Sequence, residues 1–391
     1  MTTETFPLLT LHPVADGTHR WAGIVLEADA ATPAGDTGAA VARILGEFGL
    51  AASLGGLPCI LPRGIPPDPA LAAALPPGQI VLRVAAGDCV DPGRLGELGA
   101  WRAAGCRLLV EGAPPDGGDH AEKISGVAVE WHGGEPTPPP GGMRGPHLAL
   151  GVDAIDDFER CRDAGYHWIA GNYQLHPAIK AAAANPGRAV MLKLLAQVGA
   201  DAETAEIEAT LKQDQHLSYQ LLKMVNSVAF SLDNKIGSFK QAIALLGRRQ
   251  LQRWVQLLLY GRKAGAEQPN PLMPRAALRA GLLEAIATRA GDDKALHDQA
   301  FMVGMFSLLE PLLGQPMATI IQPLNLPEPV THALLERAGI LGQRLAAVEA
   351  AERGPGGDTI SALAAAGIGL EAWAQAQAQA CLWAIKISRE A

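Results

Sequence analysis

The densest positive charge in the chain is the set Lys235, Lys240, Arg248, Arg249, Arg253, Arg262 and Lys263. Cations at this density either coat the solvated polar face of two helices or form a docking site for an acidic partner or nucleic acid. His297 and Asp298 put an imidazole beside a carboxylate, residue types that ligate metals. They fall, however, in the polar opening turn of KALHDQAFMVGMFSLLEPLLG, where an acid suits the helix dipole without any metal. His216 and His332 are isolated in sequence and could meet only through tertiary structure. Arg83, Arg107 and Arg144 could contact phosphates, and otherwise read as ordinary solvated arginines. Cys59, Cys89, Cys106, Cys161 and Cys381 are scattered, odd in number and never in a CxxC pair, so they indicate packing rather than a disulfide framework or zinc. No Walker loop, GxGxxG after a strand, GxSxG elbow or HExxH is present.

The elements that must position such residues fall into two sets. At 391 residues the chain can bury two substantial cores, and 48% hydrophobic against 18% charged residues favours a folded protein. The net charge of -8 argues against nonspecific nucleic-acid binding by the whole surface. No uncharged apolar run is long enough to span a membrane, and MTTETFPLL has no basic region before a hydrophobic one. A soluble cytoplasmic protein is expected.

Up to about residue 180, short apolar runs alternate with helical spacing. Trp21 to Glu27, Gln79 to Val84, Arg107 to Glu111, Val127 to Trp131 and His147 to Val152 predict strands. Gly38 to Phe48, Pro92 to Ala104 and Ile155 to Ala164 predict helices. The alternation predicts an α/β domain with mainly parallel strands. A complete eight-stranded barrel typically needs about 250 residues, so a pared-down or open barrel is expected. The loops LPRGIPPDP, EGAPPDGGD and GGEPTPPPGGMRGP read as surface connections.

Around Ala181 to Arg188 the pattern changes and helical spacing takes over, with breaks at GAEQPNPLMP, LNLPEP and RGPGGD. Trp254, Val255, Leu257, Leu258 and Leu259 read as core. Trp373, Ala376, Ala380 and Trp383 mark a last helix that packs on the bundle or on another subunit. The linker at Ala184 to Arg188 is too short for a flexible tether, so a fixed interface between the halves is expected.

Within the helical half, LLKMVNSVAFSLDNKIGSFKQAIALLG (Leu221 to Gly247) reads as a helix end, a fixed loop and a new helix. Asn226 and Ser227 favour stopping, Phe230 adds an aromatic, Ser238 is an N-cap with Gln241 three residues on, and Gly247 closes the second helix or sits at a tight contact. This run resembles the signature of the HDOD domain, an all-helical bacterial relative of the metal-dependent HD phosphohydrolases. The chain also resembles proteins in which HDOD follows a shortened EAL domain, the cyclic-di-GMP phosphodiesterase fold. The resemblance is strong over residues 187 to 391 and weaker before them. It implies an α/β plus all-α protein: a degenerate, shortened EAL-like (TIM-barrel-like) domain over residues 1–180 and a helical HDOD domain over 187–391.

EAL chemistry, as the family implies it, needs two metals about 4 Å apart held by carboxylates and an Asn, with a Lys and a Glu orienting water. On this chain Val25 stands at the first metal Glu, with Glu27 two residues on. Leu57 to Leu61 contains no Asn, and Arg83 replaces the next Glu. The paired aspartates fall at Glu111 and Gly112, the Lys-x-Asp at Ala128 and Glu130, the later Glu at Leu150 and the closing glutamine at Ala170. What survives is framework: Gly151-Val152-Asp153, Ala164-Gly165-Tyr166, Gly171 and Pro177. In the helical half the HD pair would follow Gly304-Met305-Phe306 at Ser307 and Leu308, neither a useful ligand.

The expectation is therefore a non-catalytic signalling regulator, a protein-interaction adaptor with no catalytic, metal or cofactor-binding residues and no cofactor. Lys235, Lys240, Arg248, Arg249 and Arg253 are the candidate partner-binding residues. The partner is expected to be a protein in cyclic-di-GMP signalling, not a membrane or nucleic acid, with a homo-oligomer left open. Two alternatives stand: a cyclic-di-GMP receptor that binds without hydrolysis, and a residual metal-dependent phosphohydrolase.

Overall fold

The structure, a computed structural model, describes residues 6–66, 68–113, 124–141, 143–176, 186–214, 217–221, 239–261 and 269–390. Its first half starts with an antiparallel hairpin, β1 (Leu9–Ala15) and β2 (Trp21–Ala28). The turn is built on Asp16, whose carboxylate accepts from the backbone N–H groups of Thr18 and Arg20 at 2.7 and 3.0 Å. The strands β3 (Cys59–Ile60), β4 (Ile80–Ala85), β5 (Arg107–Glu111), β6 (Gly126–Glu130), β7 (Leu148–Leu150) and β8 (Trp168–Ile169) follow in parallel. Because β8 pairs back to β1 at Ala15 and Ile169, the eight strands form a closed barrel, so of the pared-down or open forms expected from length it is not the open one. Closure needs only one paired position per strand, and β3 and β8 supply two residues each.

What is pared down is the outer layer. It consists of α1 (Ala34–Leu45), α2 (Leu50–Leu54), α3 (Pro69–Ala72), α4 (Pro92–Ala103) and α5 (Ile155–Asp163). Strand alternation sorts the side chains. Val14, Val25, Ile60, Val81, Leu109, Ala128, Leu148 and Trp168 fill the barrel interior. Two residues further along their strands, Glu27, Arg83, Glu111 and Glu130 share that inward face at the carboxyl ends of the parallel strands.

The second half is helical: α6 (Pro186–Gly199), α7 (Thr204–Leu211), α8 (Phe239–Leu246), α9 (Arg248–Leu259), α10 (Met273–Arg289), α11 (Lys294–Phe306), α12 (Leu309–Leu313), α13 (Met317–Ile321), α14 (Glu328–Glu336), α15 (Gly339–Ala351), α16 (Gly357–Ala365) and α17 (Leu370–Glu390). Helices α10 and α11 approach so closely that a Cβ on Gly304 would collide with the backbone of Ala280. Among the described residues no helix is long and apolar enough to cross a membrane. All five cysteines are buried and unpaired.

Helix α17 joins the halves. Trp373, Ala376 and Ala380 belong to the core of the helical half, as expected for packing on the bundle. Ala374, Ala378, Cys381 and Ile385, on another face, belong to the core between the barrel wall and α1 and α2. Gln377 lies between these faces at 3% exposure. Since β1 pairs with β8 only at Ala15, part of its outer edge lacks a strand partner. Gln377 takes that place: its Oε1 accepts from the Leu11 N–H at 2.8 Å and its Nε2 donates to the Leu9 carbonyl at 2.9 Å. The Trp373 indole N–H donates to the same carbonyl at 2.9 Å.

Replacing Gln377 by Leu leaves the Leu11 N–H buried without an acceptor, a loss of about 1–3 kcal/mol. A lower urea midpoint for the Gln377→Leu protein is expected, and an unchanged midpoint would refute the edge-completing role.

Candidate functional site

The carboxyl ends of the barrel strands form a charged mouth above an apolar interior. Arg83 points in from β4 with its side chain only 4% exposed. Its Nη1 lies 3.8 Å from Glu27 Oε1 and 3.5 Å from Glu130 Oε1, and its Nε lies 3.9 Å from Glu111 Oε1. A second guanidinium comes from the segment after β3: Arg63 Nε donates to Glu111 Oε1 at 2.6 Å and its Nη2 to Glu130 Oε1 at 3.2 Å. A cavity of about 380 Å³ opens here, lined by Arg63, Glu111, Glu130, Gly112, Ala128 and Leu150. Two permanent cations thus stand among three carboxylates, and guanidinium cannot shed its proton to make room for another cation.

This donor set does not fit a pair of divalent metals. Of the aligned positions, Val25, Ala128, Leu150 and Ala170 supply apolar packing in the barrel interior, as does Ile60 of the Leu57 to Leu61 segment. Among the described residues there is no group of three or more His, Cys, Asp or Glu that could hold a metal ion. The framework positions have geometric reasons to remain. A Cβ on Gly171 would collide with the Val152 backbone, and Asp153 Oδ1 accepts from the Asn172 N–H at 3.0 Å. Pro177 lies outside the described residues. Nor are the three arginines considered for phosphate contact brought together: Arg107 begins β5, at the end of the barrel opposite the mouth, and Arg144 is exposed before β7.

The helical half reaches the mouth through the turn after α15. A Cβ on Gly354 would stand 4.0 Å from Glu27 Oε2. Just before it, Glu352 forms a second buried ion-pair set: Arg279 donates to it from Nε at 2.8 Å and from Nη2 at 2.6 Å, and Arg275 Nη1 lies 3.4 Å away. Arg279 Nη1 also lies 3.5 Å from Glu349 Oε1. The set is tied to the barrel by Arg275 Nη2, which donates to the Gly171 carbonyl at 2.9 Å, and by Asn172 Nδ2, which donates to the Glu352 carbonyl at 3.2 Å. Burial by itself would raise the Glu352 pKa, but Arg279 and Arg275 hold it down at about 2. Between the two sets sits His12, whose Nε2 is 3.0 Å from Thr10 Oγ1 and 3.6 Å from Glu27 Oε2. Burial lowers the His12 pKa below 6.5, against the pull of Glu27, so at neutral pH it is an uncharged spacer.

In the helical half, Ser307 and Leu308 are buried, and the Ser307 hydroxyl accepts from Arg279 Nη1 at 2.9 Å and donates to the Gly304 carbonyl at 2.7 Å. An arginine again occupies the surroundings where the HD resemblance would require metal ligands. His297 and Asp298 lie early in α11, and Asp298 takes Arg249 and Arg253 at 2.5 and 3.2 Å. His332 is half exposed, 3.9 Å from Glu328. His216 lies outside the described residues.

Of the HDOD signature, Asn226, Ser227, Phe230 and Ser238 lie outside the described residues. Gln241 is in α8, and Gly247 separates α8 from α9 at φ 77° with open space where a Cβ would be. It is therefore a left-handed link between helices and not a tight packing contact. Of the basic set, Lys235, Arg262 and Lys263 also lie outside the described residues, and Lys240 is exposed. Arg248 pairs with Asp201 at 3.1 Å, Arg249 with Asp298, and Arg253 with Glu284 and Asp298. These arginines are engaged with carboxylates and do not form an open positive face.

The sequence reading missed Arg63, His12, Arg275, Arg279, Glu349 and Glu352. A usable signal was present in the last four. Arg275 and Arg279 are four apart within the apolar run MPRAALRAGLLEAIA, and Glu349 and Glu352 are three apart in LAAVEAAER. Opposite charges at helical spacing on faces otherwise built of Ala and Leu indicate a buried pair.

Because folding lowers the Glu352 pKa from 4.5 to about 2, its contribution is fully present above 4.5 and is lost as the pH falls through 2. Glu352→Gln leaves two buried arginines without their anion and should cost roughly 3 kcal/mol at neutral pH. The difference in unfolding midpoint between the two proteins should shrink as the pH falls from 4.5 towards 2. A difference independent of pH would contradict the assignment.

Residues 187–313 match the family model for the HDOD domain. The chain is 32% identical over 214 residues to "Cyclic di-GMP phosphodiesterase CdgJ" of Vibrio cholerae serotype O1, covering 54% of this chain and 49% of that protein. It is 34% identical over 127 residues to the "Uncharacterized protein YuxH" of Bacillus subtilis, covering 32% of this chain and 31% of that one. The chain thus spans half or less of these curated relatives. Among solved structures, the EAL domain of Mycobacterium smegmatis DcpA overlaps 42% of this chain and 89% of its own length, at 15% identity and a TM-score of 0.31. The barrel assignment itself rests on the strand pairing described above. The chain carries an HDOD domain at residues 187–313, placed after an eight-stranded, TIM-barrel-like barrel.

Proposed function

We propose that this protein is a non-catalytic regulator in cyclic-di-GMP signalling that acts through protein contacts. The observation that carries the reading is the buried Arg83 guanidinium within 3.9 Å of Glu27, Glu111 and Glu130. A two-metal hydrolase needs those oxygens free to neutralise metal and activate water; here they neutralise arginine. The relative named as a cyclic di-GMP phosphodiesterase supports the signalling context. The turn carrying Gly354 lies beside Glu27.

The receptor alternative has less support. Three carboxylates against two arginines at the mouth leave negative charge in excess where phosphodiesters would have to bind. The residual phosphohydrolase is opposed by Ser307 and Leu308 at the metal-pair positions and by Arg279 beside them. Of the basic set, we assign partner contact to Lys240, which is exposed and has no carboxylate against it among the ion pairs described above.

The full chain incubated with cyclic-di-GMP and either Mg²⁺ or Mn²⁺ should form no linear dinucleotide above the protein-free control. Turnover that disappears in Glu111→Gln would overturn the reading. Calorimetry of the same protein should detect no saturable micromolar binding of the dinucleotide; such binding would make the receptor the better description.

A further inference from the structure

Helices α6, α9 and α11 border an open cavity of about 280 Å³ in the helical half, which shares no lining residue with the barrel mouth. One wall is a single face of α9, with Arg248, Arg249, Arg253 and Gln256 at helical spacing, and the facing wall carries Asp298 and Phe301 of α11.

Arg248 and Arg249 are the first two residues of α9, and its first turn contains no acid. Cations there oppose the positive end of the helix dipole, an arrangement that an anion relieves. The anions now present are incompletely matched. Arg248 is held by Asp201, whose side chain is 84% exposed and so competes weakly with solvent. Arg248 Nη1 is buried without a hydrogen-bond partner. The Arg253 guanidinium lies 4.2 Å from the centre of the Phe301 ring, which fixes its plane.

An independent observation comes from Gln256. The residue is 1% exposed, it lines the cavity, and its Oε1 has no hydrogen-bond partner. Buried polar atoms are rarely left unpaired, and those that are call for an explanation. Arg248 Nη1 lacks an acceptor and Gln256 Oε1 lacks a donor, while forked guanidinium groups match phosphate oxygens.

We propose that this cavity binds a small phosphorylated metabolite, its phosphate taken by Arg248 and Arg249 at the start of α9 and a hydrogen-bond donor elsewhere on the ligand taken by Gln256 Oε1. The volume is at the small end of ligand sites, suited to a sugar phosphate or mononucleotide. The phosphate displaces Asp201 from Arg248, which gives the HDOD domain an input separate from anything at the barrel. The assignment does not depend on whether the barrel is catalytic.

The test is calorimetry on the full chain with three probes: inorganic phosphate, ribose 5-phosphate and GMP. Saturable binding is expected, tighter for at least one organic phosphate than for inorganic phosphate. Arg248→Gln, at a half-exposed position, should weaken every probe about tenfold or more, the scale of one charged hydrogen bond. Gln256→Leu should remove the preference for the organic phosphate while raising the unfolding midpoint, because it deletes an unpaired buried acceptor. No saturable binding of any probe, the result for a cavity that holds only water, overturns the proposal. So does binding that Arg248→Gln leaves unchanged.

Discussion

A guanidinium taken out of water must be met by carboxylates where it stands, because it cannot neutralise itself by losing a proton. Two such groups, Arg83 in the barrel and Arg279 in the helical half, impose this condition on opposite sides of one interface. Arg83 draws Glu27, Glu111 and Glu130 inward; Arg279 draws Glu352 and Glu349. The chain between them is tied by backbone: Arg275 to the Gly171 carbonyl, and Asn172 to the Glu352 carbonyl. With neutral His12 as the spacer, the relative placement of the halves is set by charges that cannot be left exposed to each other at arbitrary distance.

The same chemistry connects the two halves' resemblances to metal enzymes. In each, the position where a family would gather carboxylates or imidazoles around a metal is beside a buried arginine. An arginine supplies positive charge and directional hydrogen bonds without a metal's demand for a complete ligand shell. It can therefore hold a carboxylate-lined pocket together beside apolar residues such as Leu150 and Ala170.

The sequence made much of the scaffold legible and little of the interface. The strands β2, β4, β5, β6 and β7 could be read from apolar runs, as could the helices α1, α4 and α5. The strand β1, LTLHPVA, hides behind His12 and Pro13, which interrupt its pattern, although His12 turns into the barrel. With two residues each, β3 and β8 have no period to read. At the site, aligning positions identified Arg83, Glu27, Glu111 and Glu130. It could not show that Arg63 joins Arg83 among the three acids, because that depends on where the segment after β3 travels. For the basic set, spacing shows that cations share a face, but not that Asp201, Asp298 and Glu284 are brought against Arg248, Arg249 and Arg253.

The placement of Gln377 has a bearing on how the protein is made. Residues 9 and 11 belong to the first barrel strand, yet the group that completes their edge lies more than 360 positions later. During synthesis the barrel's first strand leaves the ribosome long before α17 exists, and for that interval its edge is free to pair with another extended chain. Contacts this distant in sequence also form slowly. Completion of that edge must therefore come after synthesis of α17, which makes an early-terminated chain a candidate for aggregation and not merely for loss of the helical half.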